Sequence, residues 1–198
     1  MDVTGFVLSN LPPPPARVLE VGCGRGELAR ALDGARYDVL AIDPEAPEGT
    51  IFRSVTLEEL DDVGPFDAAV AARALHHVHW LDAAAEKLAR LAPLLILDEF
   101  APERIDARAK AWYAARRAAL ADPEGPPDLD EWQERHRDLH PSDAVLAALE
   151  RHFARRFFER RPYFYRWLKS PESEPVELAG VEAGELPAVG WRWVGTRR

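Results

Sequence analysis

RVLEVGCGRGELARAL, residues 17 to 32, carries the strongest structural signal in the chain. Its first five residues have the apolar pattern of a buried strand, glycines follow at positions 22, 24 and 26, and an amphipathic helix pattern begins after them. Glycine allows a sharp bend between strand and helix, and it lets the backbone approach a ligand without a Cβ in the way. The stretch therefore predicts a strand, a ligand-binding turn and a helix.

The spacing of the three glycines distinguishes between nucleotide cofactors. The dinucleotide fingerprint G-x-G-x-x-G would require glycines at 22, 24 and 27, but Glu27 occupies the last position and the third glycine is Gly26. This spacing argues against an NAD site. A glycine-rich surface turn without a ligand is the alternative, and an isolated G-x-G-x-G does not decide between the two.

Residues 20 to 26, EVGCGRG, resemble motif I of the class I S-adenosylmethionine-dependent methyltransferases. That family has an acidic residue two positions before the first of its alternating glycines. The resemblance implies that Glu20 faces the methionyl amino end of the cofactor, and that the glycine loop approaches its methionine and ribose. S-adenosylmethionine has no pyrophosphate, so the helix N-terminus is not needed as an anion cradle.

A second apolar run at 37–43 ends in Asp43 and Pro44 and is long enough for a buried parallel strand. Asp43 follows Gly24 at about the distance where Rossmann-like domains place an acid that accepts hydrogen bonds from ribose hydroxyls. An Asp-Pro turn without a ligand is the alternative for Asp43 taken alone. Together with motif I, the spacing favours ribose binding.

The chain then continues to alternate between strand and helix patterns. Strands are predicted at 51–55, 66–71 and 94–100, a short helix with a capping box at 56–61, and a longer helix at 81–91. This order predicts an α/β fold with a Rossmann-like, open, mostly parallel seven-stranded sheet and helices on both faces. Right-handed crossovers place the carboxyl ends of the strands at one edge, where ligands bind.

The residues at this edge form the predicted site. Five separate segments place candidate residues at or directly after the ends of predicted strands, namely 22–26, 43, 54–56, 73–77 and 98–99. The predicted cofactor-binding residues are Glu20, Gly22, Cys23, Gly24, Gly26, Asp43, Pro44, Ser54, Val55 and Arg73.

Leu75-His76-His77 matches a Leu-His-His sequence that many small bacterial methyltransferases of this class carry after strand four. Methyl transfer by in-line displacement requires chiefly alignment, with proton removal when the acceptor is a hydroxyl group or an activated carbon. Histidine titrates near neutral pH and suits that removal, so His77 is the first candidate base and His76 the second. A place in the adenine pocket or in loop packing is the alternative for both.

We expect one methyltransferase domain over residues 1–198, with a cofactor-binding half at 1–100, a helical insertion at 101–152 and C-terminal strands at 153–198. Helices are predicted at 106–121, 129–139 and 142–152, a helical acidic segment at 172–186, and strands around 157–161 and at 189–194. In this family such insertions often cover the crevice and select the acceptor. That resemblance makes Trp112, Tyr113, Trp132 and His136 acceptor-pocket candidates, with core packing as the alternative.

Six arginines interleaved with aromatic residues keep an RNA methyltransferase open as an alternative. The formal net charge of −9 repels polyanions at long range, and ion pairs with neighbouring acids are the favoured account. A protein that binds the cofactor without transferring a methyl group is a further alternative, because fold alone does not exclude it. The arginines are Arg151, Arg155, Arg156, Arg160, Arg161 and Arg166.

No metal site is predicted. His136 and His140 have the helical i, i+4 spacing of a zinc-binding pair, but Pro141 takes His140 out of helical geometry. Some catechol-type methyltransferases bind magnesium through carboxylates, but the single pair Asp98-Glu99 is not enough to predict such a site.

The remaining sequence features bear on location and partners. Cys23 is the lone cysteine, the longest apolar run at 91–97 is too short to cross a bilayer, and no basic-then-apolar leader opens the chain. We therefore expect a cytoplasmic monomer or homodimer that acts on a small-molecule acceptor, without membrane or nucleic-acid partners.

Overall fold

The structure is a computed structural model that describes residues 1–61 and 63–198. The described residues contain seven strands, which form one sheet. In chain order the strands are β1 (Arg17–Val21), β2 (Asp38–Ile42), β3 (Phe52–Arg53), β4 (Ala68–Ala72), β5 (Leu94–Phe100), β6 (Phe153–Arg161) and β7 (Gly190–Arg197). Their order across the sheet is β3-β2-β1-β4-β5-β7-β6.

Eight α-helices accompany the sheet in the same described residues. They are α1 (Val3–Asn10), α2 (Glu27–Gly34), α3 (Leu81–Leu91), α4 (Ala107–Ala118), α5 (Leu129–Arg135), α6 (Ser142–His152), α7 (Phe164–Trp167) and α8 (Glu174–Glu182). Short 3₁₀ turns lie at Leu75–His77, Pro102–Arg104 and Pro171–Ser173.

The parallel part of the sheet fixes where the chain emerges from each strand. β1 pairs in parallel with β2 and β4, with Val21 level with Ile42 and Ala71, and β4 pairs in parallel with β5. These strands are buried along most of their length, which explains their near-continuous apolar sequences. The two C-terminal strands are antiparallel, so the predicted Rossmann-like, mostly parallel seven-stranded fold is confirmed.

The chain folds into two compact units, each with its own core. The first unit comprises Met1–Glu99, Asp143–Phe158 and Arg192–Arg198, and the second comprises Phe100–Ser142 and Glu159–Trp191. The core of the first is mainly aliphatic, whereas that of the second is rich in aromatic side chains. The predicted division at 1–100, 101–152 and 153–198 within one domain stays a prediction.

Three predicted elements have the observed bounds, namely the helix at 81–91, the strand at 94–100 and the helix at 142–152. The predicted helix at 56–61 is wrong, because that segment forms only a turn. Its capping box is nevertheless present: the Glu59 amide donates to Thr56 Oγ1 at 3.2 Å, and the Thr56 amide donates to Glu59 Oε2 at 3.0 Å. A capped first turn does not produce a helix when too few residues follow, because the hydrogen bonds of further turns are needed to offset the unfavourable free energy of nucleation.

Other boundaries differ from the sequence-based expectation. β3 is confined to two residues, α5 ends at Arg135 rather than at Leu139, and β6 begins at Phe153, directly after α6. The N-terminal helix α1 has no amphipathic periodicity and was not predicted. Its start is fixed by Asp2, whose Oδ1 accepts a hydrogen bond from the Gly5 amide at 2.8 Å.

A buried ion pair joins β7 to β5 in the first unit. Arg192 Nε donates to Asp98 Oδ2 at 2.8 Å, and both side chains are almost fully buried. The guanidinium also lies over the Phe6 ring at 4.6 Å and donates to the Met1 carbonyl at 3.0 Å. Arg192 therefore connects the sheet to the N-terminal helix, and a buried charge of this kind requires its partner.

We expect Asp98→Ala to lower the free energy of unfolding by about 3–5 kcal/mol, because it leaves the Arg192 charge buried without its carboxylate. Glu86→Ala is the matched control, since Glu86 pairs with Arg90 on the surface at 3.5 Å and such pairs contribute below about 1 kcal/mol. Urea unfolding of both variants measures the difference. Equal losses for the two variants would contradict this account of the buried pair.

Candidate functional site

The glycine turn leaves β1 in a conformation that ordinary residues rarely adopt. Gly22, Gly24 and Gly26 have φ values of 74°, 49° and 76°. The amides of Gly22 and Cys23 both donate to the Ile42 carbonyl, at 2.8 and 3.1 Å, which ties the turn to the end of β2. Left-handed backbone at three alternate positions explains why glycine occupies all three.

The three glycines face different surroundings. A Cβ on Gly22 would lie 2.4 Å from the Ala74 Cβ, and one on Gly26 would lie 2.5 Å from the Phe52 ring. A Cβ on Gly24 would meet no described atom within 4 Å. Gly22 and Gly26 therefore allow close packing within the protein, whereas the middle glycine leaves its face open to a ligand.

Asp43 holds the middle of this turn. Its Oδ2 accepts a hydrogen bond from the Gly24 amide at 2.9 Å, and its Oδ1 accepts one from the Glu45 amide at 2.9 Å. The bond from the Gly24 amide links Asp43 to the glycine turn. The bond from the Glu45 amide closes the Asp-Pro turn that the sequence analysis gave as the alternative. Each carboxylate oxygen retains acceptor capacity, so a ribose hydroxyl can still be bound.

The remaining predicted cofactor residues on this side lie beside Asp43. Ser54 Oγ donates to the Pro44 carbonyl at 2.8 Å, and the Val55 amide donates to the Arg53 carbonyl at 3.0 Å. The structure thus brings the ends of β1, β2 and β3 together, as the carboxyl-edge argument predicted.

Glu20 is the most unusual acid in the site. Its side chain lies in β1 with 2% exposure, and Oε2 has no hydrogen-bond partner among the described residues. Burial, reinforced by the negative charge of Asp43, raises the pKa of Glu20 to about 7. A buried carboxylate oxygen without a donor suits a cationic ligand group, so the residues present fit the ammonium end of S-adenosylmethionine.

Cys23 is buried in the same turn. Burial, followed by the charges of Glu20 and Asp43, raises the pKa of the thiol to about 12. The residue is therefore a neutral thiol at physiological pH, which argues against a nucleophilic role.

A buried carboxylate fixes the loop that follows β4. Glu99 Oε1 accepts hydrogen bonds from the Ala74 and Leu75 amides at 2.9 and 2.6 Å, and Oε2 lies 2.6 Å from His76 Nδ1. The Arg73 amide donates to the Asp98 carbonyl at 2.8 Å. The loop is thereby held against the glycine turn, with Ala74 touching Gly22.

The two candidate bases differ in their surroundings. His76 has 4% exposure and faces Glu99, whereas His77 is exposed. Their ring centroids lie 4.2 Å apart, so Glu99 orients His76 and His76 packs against His77. An acceptor arriving from solvent can reach His77 more readily than His76.

The predicted acceptor-pocket residues all lie in the second unit, and packing accounts for each of them. Tyr113 is buried in the aromatic core, with Trp112 and Trp132 packed against it. His136 stacks on Trp132 with ring centroids 4.4 Å apart, and its Nδ1 lies 2.7 Å from the Trp132 carbonyl oxygen. Their role in acceptor binding stays a prediction.

The arginines that suggested RNA binding have partners within the protein. Arg151 pairs with Asp82 at 2.7 Å, Arg155 with Glu150 at 3.4 Å and Arg161 with Glu174 at 3.4 Å. Arg156 donates to Thr196, Arg160 donates to Ser142, and Arg166 lies over Tyr163 and Tyr165. Internal pairing of this kind reduces the charge available to a polyanion.

The magnesium alternative finds little support in the geometry. Asp98 pairs with Arg192, and Glu99 holds the loop amides and His76. Within residues 1–61 and 63–198, no group of three or more histidine, cysteine or acidic side chains is arranged to hold a metal ion.

A family model described as a methyltransferase domain matches residues 4–151. The chain belongs to this methyltransferase family. The resemblance seen in motif I is therefore confirmed, and the chain is assigned to an enzyme family. No curated protein matches it.

Solved structures share the fold of this methyltransferase at low sequence identity. An S-adenosylmethionine-dependent methyltransferase from Mesorhizobium loti has a TM-score of 0.63 and 19% identity, covering 97% of this chain and 95% of that one. A TehB-like S-adenosylmethionine-dependent methyltransferase from Corynebacterium glutamicum has a TM-score of 0.58 and 14% identity, covering 100% and 89%. The [4+2]-cyclase SpnF has a TM-score of 0.57 and 16% identity, covering 99% and 79%.

Sequence reasoning missed two features of this methyltransferase site. Glu99 was considered only as a metal ligand, although it is the acceptor that fixes the β4 loop. The contact of Ala74 with Gly22 was also missed. The signal for Glu99 was its position at the carboxyl end of a buried strand, because a buried acid there must find donors in a neighbouring loop.

We expect Glu20→Gln to stabilise the free protein at pH 8 by about 3 kcal/mol. The folded pKa of Glu20 lies above its unfolded value of 4.5, so the wild type loses stability as the pH rises from about 4.5 to 7 and does not regain it above 7. The gain should vanish at pH 4.5, where the carboxyl is protonated when folded.

Denaturant unfolding across pH measures this difference, with the exposed Glu48→Gln as control. A gain that does not depend on pH would argue against a protonated, buried Glu20.

Proposed function

We propose that this methyltransferase transfers the methyl group of S-adenosylmethionine to a small-molecule acceptor and releases S-adenosylhomocysteine. The observation that carries the proposal is the buried Glu20 Oε2, which has no partner among the described residues and lies in the strand leading into the open glycine turn. A cationic amino group would satisfy this oxygen. The amino-acid end of S-adenosylmethionine supplies such a group.

Each predicted cofactor residue has a place in this proposal. Glu20 accepts hydrogen bonds from the ammonium group, the backbone of Gly22, Cys23, Gly24 and Gly26 lies along the methionine and ribose, and Asp43 accepts from the ribose hydroxyls. Residues of the adjoining loops complete the edge of the site. They are Pro44, Ser54, Val55 and Arg73.

The sulfonium methyl group of bound S-adenosylmethionine is already activated for displacement by a nucleophile. The chain therefore has to align the acceptor, exclude water and take up a proton where the acceptor is a hydroxyl group or an activated carbon. We propose that the exposed His77 ring takes up this proton and that His76, oriented by Glu99, supports it. His76 is the second candidate base.

A small-molecule acceptor is favoured over RNA by the charges of the chain. The net charge is −9, and three of the six clustered arginines already face carboxylates. The helices of the described chain also lack the combination of length and apolarity that a membrane crossing requires. A cytoplasmic location, the absence of nucleic-acid partners and a monomeric or homodimeric state belong to the same proposal.

Cofactor binding without methyl transfer is the second candidate function. It is favoured by the fold shared with the [4+2]-cyclase SpnF, whose name describes a different reaction. A screen of candidate acceptors with mass detection separates the two. A methylated product formed only with S-adenosylmethionine supports the transferase, and cofactor binding without any methylated product supports the second function.

We expect Asp43→Ala to weaken S-adenosylmethionine binding by one to two orders of magnitude, because it removes a charge-assisted ribose contact. Asp67→Ala is a matched control. Asp67 Oδ2 also accepts a backbone hydrogen bond, from the Arg17 amide at 2.7 Å, but at the opposite end of β1. Calorimetric titration measures both, and equal affinities for the two variants would contradict the ribose assignment.

We expect S-adenosylmethionine affinity to fall about tenfold per pH unit below pH 7, since only ionised Glu20 can pair with the ammonium group. Glu20→Gln should bind about 10- to 100-fold more weakly at pH 8 and show no such slope. Titrations between pH 5.5 and 8.5 test this. A wild-type profile that stays flat through pH 6 would contradict the proposed role of Glu20.

A further inference from the structure

Among the residues that the structure describes, most arginines of this acidic chain have a partner for their guanidinium group, but four do not. Within the described residues, Arg25, Arg36, Arg53 and Arg73 make no ion pair, side-chain hydrogen bond or ring contact. Three of the four lie at the carboxyl edge of the sheet: Arg25 in the glycine turn, Arg53 at the end of β3 and Arg73 directly after β4. Unpaired positive charge is thus concentrated at the candidate site.

Arg73 also has an unusual backbone. Its φ of 61° lies in the left-handed region, which the non-glycine residues Arg36 and Lys169 share with φ values of 71° and 46°. Those two follow the ends of α2 and α7, where left-handed residues commonly terminate helices. Arg73 follows a strand, so helix termination does not explain its conformation.

The surrounding structure enforces this conformation. The Arg73 amide donates to the Asp98 carbonyl, and the next two amides donate to the buried Glu99 carboxylate. Strained residues that are held so firmly occur preferentially at functional sites. Because Ala74 touches Gly22, Arg73 is adjacent in sequence to a residue that contacts the proposed cofactor turn.

We propose that the Arg73 guanidinium binds an oxyanion, a carboxylate or phosphate group, of the methyl acceptor. A guanidinium presents a planar pair of donors that matches either group in a bidentate fashion. Glu20 and Asp43 carry negative charge at the same edge, so an anionic acceptor needs a cation that holds it. Of the three arginines there, Arg73 is the one with a left-handed backbone, at a φ of 61°. This inference rests on the proposed methyl transfer and names the substrate class of the same site.

The methionyl carboxylate of the cofactor is another oxyanion that the Arg73 guanidinium could bind. It is distinguished by comparing S-adenosylhomocysteine, which carries that carboxylate, with 5′-methylthioadenosine, which lacks the amino-acid moiety. Calorimetric titration of wild type and Arg73→Gln with both compounds comes first. In this proposal Arg73 borders the cofactor only through its backbone, and its guanidinium serves the acceptor. We therefore expect Arg73→Gln to change both affinities by less than about threefold.

The acceptor itself is tested with the protein saturated with S-adenosylhomocysteine. Ligand-observed NMR screens a panel in which each small carboxylate or phosphate ester is paired with its neutral amide or alcohol. We expect binding to be concentrated among the anions, lost at least tenfold in Arg73→Gln and partly retained in Arg73→Lys. Both variants keep a Cβ at the same left-handed position, so the backbone strain is unchanged.

Arg36→Gln is the matched control. Arg36 is also exposed and left-handed and has no side-chain partner among residues 1–61 and 63–198, but it follows a helix. Its anion binding should equal that of the wild type. The proposal is overturned by neutral compounds binding as well as anions, by anions binding Arg73→Gln unchanged, or by no anion of the panel binding. A selective loss of S-adenosylhomocysteine affinity in Arg73→Gln would assign the guanidinium to the cofactor instead.

Failure of the wild type to bind S-adenosylhomocysteine at all would refute the proposed function. That result is distinct from failure of the Arg73 assignment, which presupposes a protein loaded with the cofactor product.

Discussion

Parallel pairing of β1 with its neighbours β2 and β4 is the constraint on which the candidate site depends. Parallel strands all end at the same edge, so the glycine turn, Asp43 and the β4 loop must emerge side by side. Local bonds then fix what the topology brings together. Asp43 binds the Gly24 amide, the Ile42 carbonyl receives two amides of the turn, and Glu99 holds the β4 loop.

Two buried acids at this edge differ in how many of their oxygens have partners within the protein. Glu99 is fully used by the protein, because its oxygens accept two loop amides and face His76. Glu20 has an oxygen without a partner, and its burial raises its pKa to about 7. A carboxylate held in this way costs the free protein stability and becomes favourable only when a cation arrives. This expected cost to the free protein is why we propose a cationic ligand at Glu20.

The sequence predicted the sheet, and the grouping of residues at its carboxyl edge, because buried parallel strands and left-handed glycines leave local signals. Gly22, Gly24, Gly26 and Asp43 lie together as their spacing indicated. Long-range contacts left no such signal. The ion pair of Arg192 with Asp98 and the hydrogen bond from the Ala74 amide to Glu99 cannot be predicted from residue spacing, since each joins segments that only the folded chain brings together.

The central claim is that Glu20 receives the ammonium group of S-adenosylmethionine, and proton release on binding tests it most directly. Calorimetric titrations at pH 6 in two buffers of different ionisation enthalpy count the protons exchanged. With a pKa of about 7 in the free protein, Glu20 should release close to one proton per site, and Glu20→Gln should release none. Binding by the wild type with no net proton release, or equal release by both proteins, would contradict the account.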